Sequence, residues 1–304
     1  MIRINKSIDL MEQGEPAYVT MVMSELSYDV GKEWAKTWAD ILWIDFEYMI
    51  YDLVGLSKFM RGLKDGGPTA SGHATPVVVV SPPMHCRNPE EVYSNGWQIR
   101  ALLMTGIHGF IYPQAQEPEA VKAYVATTRF ASQTIGRERG LPEGYRGHGG
   151  ERIAAEIWGI SPQEYVVKAD PWPLNPDGEL LLGLKIEDQQ GLDNANAIAS
   201  TPGINLAIAG MGDMAMSLGY QKIPPWPFPP DMVNAWNTVQ SACDNAGIPL
   251  HTGWPEPSIT EDQLPKTDEE IMKFLIEDNN AKIIRVSEEL TAIGRRVTGR
   301  KMPV

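Results

Sequence analysis

The stretch LLLGLKIEDQQGLDNANAIASTPGINLAIAG, residues 180–210, contains the pattern that decides the fold. Two short apolar runs, 180–187 and 205–210, flank a segment with helical spacing over 193–203. An apolar run of this length is typical of a strand that is buried on both faces, and strands that alternate with helices indicate a parallel sheet. The stretch therefore predicts one β-α-β unit.

The same unit recurs along the chain. Apolar or β-branched runs predict six further strands, over 17–23, 41–46, 76–81, 109–112, 248–252 and 282–287. Helical patterns cover 52–63, 94–106, 118–130 and 230–247. Eight alternating strands predict an α/β fold, a (β/α)8 barrel or TIM barrel, over residues 1–304 as a single domain. A doubly wound open sheet is the alternative, but no glycine-rich phosphate loop follows the first strand.

Two segments interrupt the alternation. Residues 131–178, between the fourth and fifth strands, are rich in Gly, Pro and Arg, and a Pro-rich patch covers 221–231 after the sixth strand. Loops as long as the first are usually functional or disordered. We expect both segments to lie over the carboxyl ends of the strands, where barrel enzymes build their active sites.

The composition limits the classes of function. The chain has 304 residues, of which 26 are basic and 39 acidic, for a formal net charge of −13. No cluster of Lys and Arg dominates any segment, so we expect neither nucleic acid nor an anionic membrane as a partner. The two cysteines lack metal-type spacing, and no run approaches the roughly 20 apolar residues of a membrane span or resembles a signal sequence. These features predict a cytoplasmic protein.

Polar side chains stand where the fifth and sixth predicted strands end. Residues two apart on a strand share a face, so Lys185 and Glu187 point the same way. Asp213 closes the turn after the next strand, which brings it beside Glu187 at the barrel mouth. Two carboxylates with room for water suit Mg²⁺ or Mn²⁺, or Co²⁺, and Gly210 and Gly212 leave backbone N–H groups open to an anion. The alternative is local: Glu187 caps a turn and Asp213 caps a helix.

Five segments carry a resemblance to a known family. In chain order they are WIDFEYMIYDLVGLSKFMRGL, GFIYPQAQEPEAVKAYVATTRF, GYRGHGG, LKIEDQQGLDNANAIASTPGINLAIAGMGDMAMSLG and IIRVSEELTAIGRRV. They resemble the HpcH/HpaI aldolases, metal-dependent class II 2-oxo-acid aldolases of the phosphoenolpyruvate/pyruvate barrel superfamily. The resemblance covers most of the chain, and the run from 184 to 219 is its most specific part. It implies a homo-oligomer, a trimer or a hexamer, in which a C-terminal helix exchanges between neighbours.

The resemblance also implies roles for individual residues. Glu187 and Asp213 match the two metal ligands, and the backbone amides of Gly212 and Asp213 match those that hold the pyruvate carboxylate. Asp45 and Glu47 match the acidic pair that follows the second strand.

Three further residues are candidates for substrate binding. Arg146 matches the Arg of the family's Gly-x-Arg-Gly loop, and His148 lies beside it in the sequence. Trp254 is one of nine tryptophans, several of them in Pro-rich loops, which would line the mouth for a bulky or aromatic substrate. Packing in the core or at an interface explains these tryptophans equally well.

The acid/base residues of the family are absent from this chain. The family's His after the second strand is replaced by Tyr48, and the Asp that orients that His corresponds to Met104. The Arg of the third strand corresponds to Val79 or Val80, and the Gln two residues before the metal-binding Glu is Lys185. These replacements affect a single cluster, so they indicate one altered site.

The replacements leave several mechanisms open. Tyr48 can donate a proton, but a phenol with an ordinary pKa of about 10 is a weak base, and the ring can equally be part of the packing. Lys185 can supply the positive charge of the missing Arg. It can also pair with Glu187 without a metal, or form an imine with a carbonyl substrate. Candidate replacement bases, each of which can equally be a loop or core residue, are His85, His148 and His251.

Together these observations predict a divalent-metal-dependent carbon–carbon lyase that acts on a 2-oxo acid or related carboxylate. Asp45, Glu47, Tyr48 and Lys185 are its predicted catalytic residues. One alternative is a different reaction on the same metal scaffold, such as decarboxylation, hydration or cleavage of an aromatic side chain. Another is a catalytically silent protein that binds a carboxylate.

Overall fold

The computed structural model describes residues 3–304, and within them eight strands form one parallel sheet. The strands are β1 (Ala17–Met21), β2 (Ile41–Asp45), β3 (Val77–Ser81), β4 (Gly109–Tyr112), β5 (Leu181–Ile186), β6 (Leu206–Ala209), β7 (His251–Gly253) and β8 (Ile283–Arg285). Their order is β6-β5-β4-β3-β2-β1-β8-β7, and a parallel bridge between Ala207 and Leu250 joins the two edges. Each strand overlaps one predicted run, so the (β/α)8 barrel is confirmed.

Helices surround this sheet. Those within residues 3–304 are α1 (Lys6–Glu12), α2 (Tyr28–Trp34), α3 (Leu53–Gly66), α4 (Pro89–Met104), α5 (Pro118–Thr128), α6 (Glu151–Trp158), α7 (Pro162–Lys168), α8 (Gln189–Asp193), α9 (Ala195–Ala199), α10 (Met211–Ser217), α11 (Pro230–Ala246), α12 (Asp268–Lys273) and α13 (Glu288–Val297). A π-helical turn, Phe274–Asp278, continues α12. No helix of this described part is long and apolar enough to cross a membrane.

Local sequence explains where the long helices begin and end. The Asp52 side chain accepts a hydrogen bond from the Gly55 N–H at 2.8 Å and so caps the start of α3. Gly247 ends α11 with a φ of +69°, a left-handed conformation that favours glycine. Within the predicted helix over 193–203 the structure has the short helix α9, and the short helix α8 precedes it.

Alternation along the strands separates two cores. Outward residues pack beneath the helices, and inward residues fill the barrel. Helix α1 closes the amino end, where Ile8 and Leu10 join the inward cluster. Val79, which corresponds to the family's Arg in one alignment, is one of the buried inward residues. The barrel is therefore filled by apolar side chains up to its carboxyl end.

Segment 131–178 differs from the loop that we expected. It contains α6 and α7, and it joins the end of α5 to the start of β5, a connection that emerges at the amino end of a parallel barrel. Part of it runs along α4, where Gly96 lies against the Tyr145 ring and Gly150 against Met104. The structure therefore places it against α4 and the amino end of the barrel, where Trp158 donates to the Gly106 carbonyl, and not over the carboxyl ends of the strands.

The C-terminal helix lies on its own barrel, whereas the resemblance implies that it exchanges between neighbours. Helix α13 packs beside α12, and Gly294 lies against the Tyr18 hydroxyl. Beyond the helix, both terminal nitrogens of the Arg300 side chain bind the Asp40 carboxylate, at 2.6 and 2.7 Å. The end of the described chain is thus attached to the amino end of its own barrel.

Candidate active site at the barrel mouth

A cavity of about 520 Å³ opens at the carboxyl end of the barrel. Its acidic wall comes from β2, β5, β6 and the segments that follow them, and its opposite wall comes from β1, β7 and β8. The predicted site residues that line it are Asp45, Tyr48, Lys185, Glu187, Gly212, Asp213 and Trp254. The strands thus bring together residues that are up to 209 positions apart in the sequence, from 45 to 254.

Glu187 is the most constrained carboxylate of the acidic wall. The Gln114 backbone N–H donates a hydrogen bond to Glu187 Oε1 at 2.8 Å. Gly210 packs so closely against the other oxygen that a Cβ there would lie 2.0 Å from Oε2. Burial raises the pKa of Glu187 to about 8, although the nearby Lys185 charge opposes that rise. Glu187 is therefore held in one position and needs a cation to ionise fully at neutral pH.

Three carboxylates converge at this point. Glu47, Glu187 and Asp213 each offer an oxygen, and the three oxygens lie within 4.8 Å of one another. Asp213 reaches this position because β6 ends directly before α10 and Asp213 lies in the first turn of that helix. Carboxylate oxygens at such separations are the donor set that a hard divalent cation requires. The residues therefore suit Mg²⁺, Mn²⁺ or Co²⁺.

Lys185 is paired with two of the four acidic residues of this wall. Its ammonium donates to Asp45 Oδ2 at 2.9 Å and also to the Glu47 carboxylate. Burial alone would lower the pKa of Lys185, but Asp45 and Glu47 outweigh it and raise that pKa above its ordinary value. A lysine that stays protonated is a poor imine former. Its closest partners are not Glu187, which leaves that carboxylate for a cation.

Tyr48 and Gly212 border the open part of the cavity. The Tyr48 ring centroid lies 5.6 Å from Lys185 Nζ, and the side chain is 63% exposed. Partial burial raises the pKa of Tyr48, so its phenol stays protonated at neutral pH and is suited to donate a proton. A Cβ at Gly212 would meet Ile223 and the Tyr48 hydroxyl at 3.8 and 3.9 Å, so the backbone faces free space.

Arg146 and His148 lie outside this cavity. The Arg146 guanidinium is buried 3.9 Å above the Phe130 ring and donates to the Thr128 carbonyl at 3.2 Å. His148 is exposed and lies 3.2 Å from Glu151. Both belong to segment 131–178, in which Arg146 is buried near the end of α5 and His148 is exposed. The structure of the chain therefore gives neither residue a contact with a ligand in the cavity.

Three other positions can now be placed. Met104, which corresponds to the orienting Asp of the family, ends α4 at the far side of the barrel from Tyr48. Of the three candidate bases, His251 lines the cavity, whereas His85 is not among its lining residues and lies 3.7 Å from Glu91. The acidic wall of this chain therefore has no histidine among the cavity-lining residues that the structure describes.

Residues that the sequence analysis missed complete the walls. Trp43 faces the cavity and its indole N–H donates to Ser81 Oγ at 2.9 Å. Arg285, at the end of β8, lines the opposite wall. Alternation was a signal for both, because Trp43 shares a face with Asp45 and Arg285 shares a face with the buried Ile283.

A (β/α)8 barrel with clustered carboxylates at its mouth defines the class of protein. Within that class the chain belongs to the HpcH/HpaI aldolase/citrate lyase family, whose model matches residues 87–259. The resemblance drawn from the sequence is therefore confirmed.

Named proteins are similar to parts of the chain. A hydroxypyruvate/pyruvate aldolase of Chromohalobacter salexigens is 30% identical over 151 residues, 49% of this chain and 52% of the relative. A 5-keto-4-deoxy-D-glucarate aldolase of Citrobacter koseri is 33% identical over 123 residues, 40% of each chain. The chain thus matches about half of these relatives or less. A solved HpcH/HpaI aldolase/citrate lyase family protein from Burkholderia cenocepacia shares the fold over 97% of both chains, with a TM-score of 0.66 and 22% identity.

Proposed function

We propose that this protein is a divalent-metal-dependent carbon–carbon lyase of the aldolase type that acts on a 2-oxo acid. The observation that carries the proposal is the convergence of Glu47, Glu187 and Asp213 within 4.8 Å, beside the charged Lys185, at the wall of the cavity. The two aldolases that share 30% and 33% identity with parts of the chain support the reaction class.

Each residue of the acidic wall has a role in this proposal. Glu187 and Asp213 would hold Mg²⁺ or Mn²⁺, or Co²⁺, with the Glu47 carboxylate beside them. When bound, the cation supplies Lewis-acid chemistry that polarises the carbonyl group of a 2-oxo acid. The backbone N–H groups of Gly212 and Asp213 would hold the substrate carboxylate. They would orient the 2-oxo acid so that its carbonyl group faces the acidic wall.

Proton transfer and charge compensation would fall to the remaining residues. The Lys185 ammonium, oriented by Asp45 and Glu47, would offset the negative charge that develops on the substrate when its carbon–carbon bond breaks. Tyr48 would donate a proton to the carbon that has lost its bond partner. The site thus offers an acid, whereas a retro-aldol cleavage also needs a base for the substrate hydroxyl.

Because the site has an assigned acid and no assigned base, it also favours a second candidate reaction, decarboxylation. Loss of CO₂ from a 2-oxo acid with a carboxylate on the neighbouring carbon breaks a carbon–carbon bond without prior proton removal. It leaves a carbanion that needs one proton, which Tyr48 can supply. Replacement of the family's His by a protonated Tyr48 is the observation that favours this reaction.

The lining of the cavity also bears on the size of the substrate. The aromatic rings of Trp43, Phe228, Trp236 and Trp254 line the cavity and suit a bulky or aromatic substrate. We expect a cytoplasmic homo-oligomer, a trimer or hexamer, with no nucleic-acid or membrane partner. Light scattering of the purified protein tests the oligomer.

Exchange of the pyruvate methyl protons with solvent deuterium, followed by NMR, tests the function. We expect exchange with added Mn²⁺ or Mg²⁺ and none after chelation, because polarisation of the carbonyl group makes the methyl protons acidic enough for water in the open cavity to accept them. If protein that holds Mn²⁺ gives no exchange but releases CO₂ from oxaloacetate, decarboxylation replaces the aldolase proposal. A protein that binds no metal and turns over neither acid would instead be a silent carboxylate-binding protein.

A further inference from the structure

The Lys185 ammonium contacts two aromatic rings as well as two carboxylates. Its Nζ atom is 5.3 Å from the centroid of the Trp43 ring and 5.6 Å from that of the Tyr48 ring. Both distances fall within the roughly 6 Å at which an aromatic face attracts a cation, and an indole attracts it most strongly. Tyr48 is 63% exposed, whereas Trp43 is only 5% exposed. Trp43 is therefore the ring that can fix the position of the ammonium.

Lys185 depends on fixed contacts because it reaches across the barrel. It belongs to β5, and two strands of the sheet separate β5 from β2. Its partners Trp43, Asp45 and Glu47 lie on β2 or directly after it. A lysine carries its charge on a flexible four-carbon stem, which loses rotamer freedom when the charge is held at one point. The aromatic face and the two carboxylates together offset that cost.

Trp43 is itself anchored. Its indole N–H donates a hydrogen bond to Ser81 Oγ at 2.9 Å. The β2–β3 register sets Trp43 beside Val79, and both side chains belong to the buried inward cluster. The indole also meets the His251 ring edge-on, with centroids 5.7 Å apart and an angle of 80° between the planes. The hydrogen bond and these packing contacts restrict the indole to one orientation.

One N–H donor of Lys185 remains available. An ammonium group carries three N–H donors. Asp45 and Glu47 are the recorded acceptors of Lys185 among the described residues. An aromatic face attracts the charge but does not replace an oxygen acceptor. Because Lys185 lines the cavity, its third N–H is available to an oxygen atom of the substrate.

We propose that Trp43 is a positioning residue, which holds the Lys185 ammonium where its third N–H meets the negative charge that develops on a substrate oxygen. The inference rests on the proposed function, which assigns that charge compensation to Lys185. Trp43 acts through Lys185 and needs no contact with the substrate. The indole should therefore affect the rate of the step that develops the charge and not the affinity for the substrate.

NMR of the full chain labelled with ¹³C-lysine tests the contact itself. The face of an indole shields nuclei that lie over it, so we expect an upfield-shifted ε-methylene signal for Lys185. Its loss in Lys185→Met identifies that signal. Trp43→Leu should move the signal to the range of the other lysines, whereas Trp43→Phe, which keeps an aromatic face, should retain part of the shift. A signal that Trp43→Leu does not move would overturn the proposal.

Deuterium exchange of the pyruvate methyl protons with added Mn²⁺ tests the consequence. At saturating pyruvate we expect Trp43→Leu to lower the exchange rate about tenfold and Trp43→Phe about threefold, with little change in KM. In a Lys185→Met background, Trp43→Leu should cause no further loss, because both changes remove the same interaction. An equal loss in both backgrounds, or a change confined to KM, would assign Trp43 to packing or to substrate contact and overturn its positioning role.

Trp158→Leu is the matched control. Trp158 is also buried, and its indole N–H also donates a hydrogen bond, to the Gly106 carbonyl at 2.9 Å, but it does not line the cavity. Trp158→Leu should destabilise the fold without changing the Lys185 signal or the exchange rate of the folded protein. A normal exchange rate in Trp43→Leu would overturn the positioning role alone. If the wild type shows no metal-dependent exchange, the proposed function fails, and the positioning role fails with it.

Discussion

The two ends of the barrel each hold a cluster of charged side chains, and the clusters are unbalanced in opposite senses. At the amino end the fully buried Asp40 accepts hydrogen bonds from Arg300 at 2.6 and 2.7 Å and from the Tyr18 backbone N–H at 3.0 Å. Lys6 lies 3.0 Å from the same carboxylate, and Arg295 lies 3.8 Å from it. Burial opposes ionisation of Asp40, but Arg300 and Lys6 outweigh it and lower its pKa.

At the carboxyl end the excess charge is negative. Asp45 and Glu47 pair with the Lys185 ammonium, and Glu187 and Asp213 lie beside Glu47. The pKa of Glu187 is raised here because burial outweighs the Lys185 charge, whereas the cations around Asp40 lower the pKa of that residue. The surroundings of the two clusters distinguish a structural role from a functional one. Where the chain's own donors satisfy the carboxylate and no cavity adjoins it, the cluster stabilises the fold. Where carboxylates face a cavity without enough cations, the cluster is built for a ligand.

The largest expected effect is at the carboxyl end. Asp213→Asn removes a proposed metal ligand, so we expect metal-dependent deuterium exchange of pyruvate to fall roughly 10³-fold. The free energy of unfolding should change little, because Asp213 has no recorded ion pair within the described residues. Asp193→Asn, on the exposed surface of α8, is the control and should leave exchange unchanged. Normal Mn²⁺ content and normal exchange in Asp213→Asn would contradict the role of Asp213 as a metal ligand.

The matching change at the amino end should affect stability alone. Asp40→Asn leaves Lys6 and Arg300 as buried cations without their anion, which should lower the free energy of unfolding by about 3–5 kcal/mol. Urea denaturation measures this loss, with Asp193→Asn again as the control. Mn²⁺ affinity of the folded fraction should be unchanged. A loss below about 1 kcal/mol would show that the amino-end cluster does not stabilise the fold.

The raised pKa of Glu187 predicts a pH dependence in the metal-free protein. Its folded pKa of about 8 exceeds the ordinary 4.5, so its stabilising contribution is complete below pH 4.5 and is lost as the pH rises through 8. The free energy of unfolding should therefore fall more steeply from pH 6 to 8 in the wild type than in Glu187→Gln. Mn²⁺ affinity should rise over the same range by up to about tenfold per pH unit, because binding displaces a proton. Equal slopes for the two proteins would contradict the assignment.

The smallest expected effect concerns the proton donor. Tyr48→Phe should slow exchange by about tenfold, less than the loss of most general acids, because the exposed side chain leaves room for water to donate instead. Mn²⁺ affinity should not change. Tyr145→Phe, at an exposed ring outside the cavity, is the control. An unaffected rate in Tyr48→Phe would assign the ring to packing and leave proton transfer to water or another residue.

The strands were predictable because each is a short apolar run between turn signals. The same is true of Glu187 and Asp213, since the end of a barrel strand fixes where the next side chains point. Helix α7 was also readable in principle: the Ser161 side chain caps its start and the Glu164 side chain returns the bond, a spacing visible in the sequence. The Gly- and Pro-rich surroundings concealed it within segment 131–178.

The path of that segment was not predictable from local pattern. It depends on pairs that are distant in sequence, such as the buried Arg129 and Asp170, whose side chains meet at 2.6 Å. Arg146 follows this path to a buried position beside Phe130, away from the cavity, although the resemblance had matched it to a site residue. Arg285 could have been found, because the alternation that identified Lys185 and Glu187 on β5 applies equally to β8.

The Asp40 cluster also bears on how the chain acquires its structure during synthesis. Lys6 precedes Asp40 in the chain, whereas Arg300 is added 260 residues after Asp40. Until then the carboxylate lacks the partner that makes two of its hydrogen bonds, and the β1–β8 pairing that positions this region is also missing. The nascent barrel therefore keeps an incompletely neutralised charge at its amino end until Arg300 has been added. Closure of the barrel couples segments that lie 260 residues apart in the sequence.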